Sequence, residues 1–183
     1  MARIAIIGDG PAGLSAALFL AKNHHDTVVY GTDETPMHYA HLYNYLGVED
    51  IDGTTFQELA RRQVANQGAT FRDDEVEAVA ADGDGFVVTT AAGTDQADYV
   101  VLAGGKAAQA LAASLGAEKD GGHIPVDAEY RNEMDRVYAL GRVARQERSQ
   151  AIISAGAGAV AAVDILSREA GKDVQDWDSP PED

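Results

Sequence analysis

Residues 2–7 form a short apolar run that passes directly into Gly8-Asp9-Gly10-Pro11-Ala12-Gly13, and this junction constrains the chain more than any other feature. A continuous apolar run of this length is the pattern of a buried parallel strand. Residues 11–22 then place Leu14, Ala17, Leu18 and Ala21 on one helical face. Residues 27–30 read as a second strand, stopped at Gly31. Together they make a strand–helix–strand unit of about 30 residues, the size of a parallel crossover. At its turn, GxGxxG has a specific meaning. Gly8 permits the tight turn, Gly10 lets the backbone approach a pyrophosphate, and Gly13 allows the helix to pack closely on the strand. The helix N-terminus adds unpaired N–H groups and a partial positive charge. The same glycines also suit a turn that holds no ligand, but the flanking strand and helix favour binding. A ribose-binding acid is expected about 20 residues further on. Asp33 and Glu34 are the candidates; both lie beyond Gly31 and also fit as plain turn acids.

The rest of the chain reads as α/β. Residues 54–67 form a helix with Thr54 or Thr55 as cap and Gly68 as stop. Residues 75–81, 86–90 and 97–102 are β-like runs. The turns between them, Asp82-Gly83-Asp84-Gly85 and Ala92-Gly93-Thr94, predict a three-stranded antiparallel meander. Residues 107–115 form a short helix, 137–140 a strand ending at Gly141, and 150–170 a long Ala-rich helix. The expected organisation is one domain over residues 1–171, followed by an acidic, solvated tail over 172–183.

Composition removes whole classes of function. The chain has 183 residues and no cysteine, which excludes disulfides, thiol nucleophiles and thiolate metal sites within it. Its formal charge of −16 repels nucleic acid and anionic membranes, so neither is an expected partner. Asp outnumbers Glu and Arg outnumbers Lys, the balance of a protein adapted to high salt. No uncharged apolar stretch approaches the roughly 20 residues of a bilayer span, and no secretory signal is evident, so a soluble cytoplasmic protein is expected. Ser15, Ser114, Ser149 and Ser154 lack the context of an activated nucleophile. His38 and His41, three apart beside Tyr39, Tyr43 and Tyr45, are placed to move protons next to a ring, or simply belong to a loop packed over a pocket. Two histidines without a clear carboxylate partner make a thin metal ligand set, and no metal site is expected. His24-His25 at a helix end reads as structural.

Residues 6–17, Ile-Ile-Gly-Asp-Gly-Pro-Ala-Gly-Leu-Ser-Ala-Ala, resemble the opening of low-molecular-weight thioredoxin reductases. Asn44-Tyr45-Leu46-Gly47 is similar to that family's Asn-Tyr-Pro-Gly turn, with Leu46 in place of proline. Val100-Val101-Leu102-Ala103-Gly104-Gly105 follows the meander as the family's Ala-Thr-Gly stretch does. Gly122-His123-Ile124-Pro125-Val126-Asp127, Val137-Tyr138-Ala139-Leu140-Gly141 and the run from Gln150 to Gly158 resemble its C-terminal FAD segment. The resemblance implies a Rossmann-like FAD-binding domain with a parallel sheet, an inserted antiparallel meander and flanking helices. It also implies FAD as cofactor. Gly8, Gly10, Pro11, Ala12 and Gly13 would cradle the pyrophosphate, with Thr32 and Asp33 at the end of the second strand. The backbone at Val76 would meet adenine, and Asn44, Gln150 and Ala151 would face the flavin, with Gly104, Gly141 and Arg142 completing the site.

Three departures matter. The segment after Gly105 runs directly into the C-terminal FAD segment, with no second glycine loop and no CxxC, so the chain resembles an FAD domain whose halves are joined without the NADPH domain. Arg142 stands where the family has an Asp that bonds the ribityl chain; arginine only donates, and suits a phosphate instead. Residues 37–43 replace a flavin-contacting Gly-Gly-Gln turn. The expected protein is therefore a flavoprotein that takes electrons from an external donor or redox partner, not a working thioredoxin reductase. Its catalytic residues are unassigned. The alternative is a non-catalytic remnant that binds a partner or nucleotide for regulation. NAD(P) in the glycine loop is disfavoured by the C-terminal match. A homodimer is implied by the resemblance and suits the prevalence of symmetric dimers.

Overall fold

The computed structural model describes residues 1–117 and 123–179. Gly122, which opens the C-terminal segment singled out above, and the last four residues of the acidic tail lie outside them. The glycine-loop unit forms as the sequence predicts, with β1 at Arg3–Ile7, α1 at Pro11–Lys22 and β2 at Asp26–Tyr30. A short hairpin, β3 (His41–Leu42) and β4 (Ile51–Asp52), leads into α2 at Gly53–Asn66. Then come β5 (Thr70–Arg72), β6 (Val76–Asp82), β7 (Gly85–Thr90), β8 (Gly93–Ala97) and β9 (Tyr99–Leu102). The chain closes with α3 (Lys106–Ser114), β10 (Val137–Ala139) and α4 (Ala151–Ala170).

Five strands form one parallel sheet in the order β10-β9-β1-β2-β5. One face packs on α1 and α4 through Ile4, Ile6, Leu20, Val29, Val101, Leu140, Ala161 and Ile165. The other face is covered by the meander and α3 through Ile7, Val28, Val79, Val88, Val100, Leu102 and Leu111. Strands buried on both faces read as continuous apolar runs, and Tyr99–Leu102 is buried at every position.

That burial corrects the expected third run of the meander. Residues 97–102 are not one strand. β8, which spans the predicted turn at Gly93-Thr94, is the meander's third strand and pairs with β7 from Phe86↔Ala97 to Thr90↔Gly93. It is mostly exposed, so its polar Thr94-Asp95-Gln96 sequence carries no hydrophobic strand signal. Asp98 then breaks the run. Its backbone N–H donates to the Arg3 carbonyl and its carboxylate accepts from the Arg3 N–H at 2.7 Å, which turns the chain into β9 beside β1. The α2 cap also differs: Asp52, not Thr54 or Thr55, accepts from the N–H groups of both threonines.

α1 and α4 approach closely because Gly158 faces α1; a Cβ there would lie 2.2 Å from the Ala12 carbonyl oxygen. By length and composition α4 is apolar enough to cross a membrane, although half of that window is buried in this fold, as in the core helix of a soluble protein. The segment after Gly171 is mostly exposed over 172–179 and is tethered at two points. Val174 packs against the core, and Lys22 holds Asp176 at 3.0 Å and Asp178 at 2.7 Å.

Candidate functional site

The chain runs from β1 outward to β2 and β5, then returns to lay β9 and β10 on the other side of β1. The sheet order therefore reverses between β1 and β9, and ligands of open α/β sheets bind at the carboxyl ends of the strands at such a point. A cavity of about 640 Å³ opens there, lined by Gly8, Asp9 and Gly10 after β1 and by Ala103, Gly104 and Gly105 after β9. That volume is within the usual range for a cofactor site.

The glycines leave little freedom in this floor. Gly8 has φ of 113°, and a Cβ on it would lie 2.7 Å from the Gly104 nitrogen. A Cβ on Gly13 would lie 1.9 Å from the Gly8 carbonyl oxygen, so Gly13 sits under the loop as a packing glycine.

Among the described residues, three helix N-termini border this cavity. α1 begins after Gly10, α3 after Gly105 and α4 after Gln150; none has a side-chain cap, and Pro11, Gly105 and Ala151 line the space. α2, which starts elsewhere, is capped by Asp52. Uncapped helix starts leave N–H donors for a ligand and sum their partial positive charges toward it. The arrangement suits an extended ligand carrying negative charge at more than one place.

Gly8, Gly10, Pro11, Ala12, Gly104, Gly141, Arg142 and Ala151 all line the cavity. Arg142 is exposed and makes no ion pair among the described residues. Thr32, Asp33, Asn44, Val76 and Gln150 stand off the lining. Asn44 donates to the Gln150 side chain at 3.4 Å, joining the loop of residues 36–48 to the start of α4. Val76 is buried in the core between sheet and meander. In the aromatic segment Met37 turns inward and lines the cavity, whereas Tyr39 is 95% exposed and Tyr43 78%. Tyr45 packs against Phe56, the rings tilted by 48° with centroids 5.2 Å apart. His38 is tied down by the Asp33 carbonyl at 2.8 Å and the Thr54 hydroxyl at 3.1 Å, and exposed His41 pairs with Asp50.

Sequence reasoning missed a buried polar cluster beneath the glycine loop. Asp9 is 5% exposed, and its Oδ2 accepts from the Asp33 N–H at 2.9 Å and from Arg61. Gln57, fully buried on α2, donates from Nε2 to the Asp9 carbonyl at 2.7 Å and to Asp33 Oδ1 at 3.0 Å. Among the described residues its Oε1 has no partner. Burial pushes the Asp9 carboxyl up from its ordinary value, while Arg61 and the Asp33 N–H pull against it. One signal was available: an acid inside a loop whose N–H groups bind anions requires a counter-cation, and Arg61 supplies it.

Fold and site together define an α/β protein of the Rossmann-like class, with its cavity at the switch point of the sheet. The chain matches the model of the family described as pyridine nucleotide-disulphide oxidoreductase over residues 2–55 and 48–159, and it belongs to that family. It is 35% identical over 112 residues to thioredoxin reductase of Mycolicibacterium smegmatis, a stretch covering 59% of this chain and 36% of that protein. The match thus spans about a third of the relative's length. Among solved structures, the atypical thioredoxin reductase TRi from Desulfovibrio vulgaris Hildenborough superposes with a TM-score of 0.85 at 20% identity, covering 93% of this chain and 99% of that one. A ferredoxin-flavin thioredoxin reductase from Clostridium acetobutylicum gives 0.80 at 19% identity, covering 93% and 99%. The fold is the thioredoxin reductase-like FAD-binding fold.

Proposed function

We propose that this chain binds FAD in the cavity at the switch point and serves as an electron-transfer domain fed by an external donor. The observation that carries the reading is the set of three uncapped helix N-termini around one cavity. Bound FAD would supply hydride and electron chemistry that side chains lack. The protein's part is to hold it. The N–H groups after Gly10 receive the pyrophosphate charge, and the start of α4 at Ala151 favours negative charge on a reduced ring. Arg142, on the cavity wall, gives a further cation for a phosphate oxygen.

With no cysteine in its 183 residues, the chain has no thiol pair of its own to receive electrons. Nor does its sequence carry a second glycine loop for a nicotinamide nucleotide. This reading therefore places the donor and acceptor outside these 183 residues, and a homodimer at high salt is the assembly it favours. A ferredoxin-linked relative of the same fold makes a reduced iron–sulfur protein a donor to test.

The test is anaerobic reduction of FAD-loaded protein in high salt by NADH, NADPH or reduced ferredoxin. Bleaching of the visible flavin band by one of these donors, at a rate that rises with donor concentration, is expected. A bound flavin that none of them reduces contradicts the electron-transfer role and favours a regulatory remnant of the fold.

A further inference from the structure

In dinucleotide-binding folds, a carboxylate at the carboxyl end of the second strand accepts hydrogen bonds from the ribose hydroxyls. Here β2 ends at Tyr30 and the next residue is Gly31, which has no side chain to offer. The acids beyond it are otherwise arranged. The Asp33 carboxylate is engaged by Gln57 at 3.0 Å and lies 3.5 Å from His38 and 3.8 Å from Arg61, and Asp33 does not line the cavity. Glu34 lines the cavity but is exposed.

The volume that a side chain at position 31 would take is filled by Asp9. A Cβ built on Gly31 would lie 2.4 Å from Asp9 Cγ and 2.7 Å from each carboxylate oxygen. Those separations are longer than a bond and close to the distance from Cβ to the carboxyl group of a glutamate, so the Asp9 carboxylate stands about where that of a glutamate rooted at position 31 would reach. It is also fixed there. Asp9 Oδ2 takes the Asp33 N–H and Arg61, and Gln57 clamps the Asp9 carbonyl. Arg61 in turn reaches Asp33 at 3.8 Å and Asp73 at 3.4 Å, and lies over the Phe71 ring at 4.5 Å.

We propose that Asp9 is the ribose-binding carboxylate of this chain, supplied from within the glycine loop instead of from the end of the second strand, and that it selects an adenine nucleotide with a free 2′,3′-diol. The assignment rests on the dinucleotide reading above. A ribose 2′-phosphate would face the Asp9 carboxylate, and Arg61 already serves three carboxylates, so it has little charge left to attract that phosphate.

The test compares the affinity for ADP with that for 2′,3′-dideoxy-ADP, by calorimetry in high salt. Wild type should prefer ADP by about tenfold or more, the effect of hydrogen bonds to a charged acceptor. In Asp9→Ala the preference should collapse to about twofold, and Arg61 stays paired with Asp33 and Asp73 in that variant. The double variant Asp9→Ala/Gly31→Glu restores a carboxylate from the second strand and should recover the preference. If wild type binds ADP and FAD but Asp9→Ala discriminates as well as wild type, this assignment is wrong and the cofactor reading stands. If wild type binds neither nucleotide, the cofactor reading itself fails and the assignment falls with it.

Discussion

Gly158→Ala should lower the stability of this fold by about 3 kcal/mol, whereas Gly156→Ala should leave it unchanged or raise it by about 0.5–1 kcal/mol. The two positions lie two residues apart on α4 and differ only in what they face. A Cβ at Gly158 would stand 2.2 Å from the Ala12 carbonyl oxygen, 2.9 Å from the Ala16 nitrogen and 3.0 Å from the Ser15 Cβ. Most of that obstruction is α1 backbone, which cannot rotate aside, so the two helices must separate. A Cβ at Gly156 would meet nothing within 4 Å, and alanine is the better helix former there. Denaturant unfolding of both variants checks the contrast. Because Ala12 also lines the cavity, Gly158→Ala should weaken FAD as well. Equal stabilities for the two variants would show that the close contact of α1 and α4 does not hold the fold together.

Asp164→Ala should be of similar size, about 3 kcal/mol, because it removes the acceptor of the buried Tyr138 hydroxyl and breaks the paired bonds from Arg131. Asp164 Oδ2 accepts from the hydroxyl of fully buried Tyr138 at 2.5 Å and from Arg131 Nε at 2.7 Å, while Arg131 also reaches Oδ1. Burial pushes the Asp164 carboxyl up, but the bonds from Arg131 and Tyr138, with Arg168 nearby, more than offset it and hold it below its ordinary value. The sign for stability follows. A carboxylate depressed in the folded state contributes stability above its unfolded pKa of about 4, and that contribution is lost as pH falls through the lower folded value. Asp135, lowered by its bond from Arg168, acts in the same direction. Wild type should therefore lose stability steadily below about pH 4, and Asp164→Asn should show a shallower fall over that range. An identical acid slope in the two proteins would contradict the role given to this ion pair.

The parts of the fold legible in the sequence are those in which one local pattern decides. The apolar run into Gly8 fixed β1 and its turn, and the spacing of Leu14, Ala17 and Ala21 fixed the buried face of α1. β8 was hidden because it is an exposed edge strand stabilised by backbone pairing, with Ala97 its one buried residue. β5 is three residues long, with polar ends at Thr70 and Arg72, and depends on β2 for its register. In the site, the backbone elements were legible because glycines mark them. The cluster of Asp9, Gln57 and Arg61 was not, because Asp9 lies 48 and 52 residues before the other two and meets them only when α2 packs beneath the loop. The aromatic segment left two readings open, proton-moving histidines beside a ring or a loop packed over a pocket, because its pattern does not say which side chain turns inward; that residue is Met37, placed by the 3₁₀ turn at Pro36–Tyr39 that Thr35 caps.

The most direct measurement is equilibrium dialysis of the protein in high salt against FAD, FMN and riboflavin in parallel. Anchoring by the glycine loop and by the uncapped N-terminus of α1 predicts that FAD binds at least about a hundredfold more tightly than riboflavin, with FMN between them. Binding of riboflavin as tight as that of FAD, or of none of the three, would contradict the account of this cavity as a pyrophosphate-anchored flavin site.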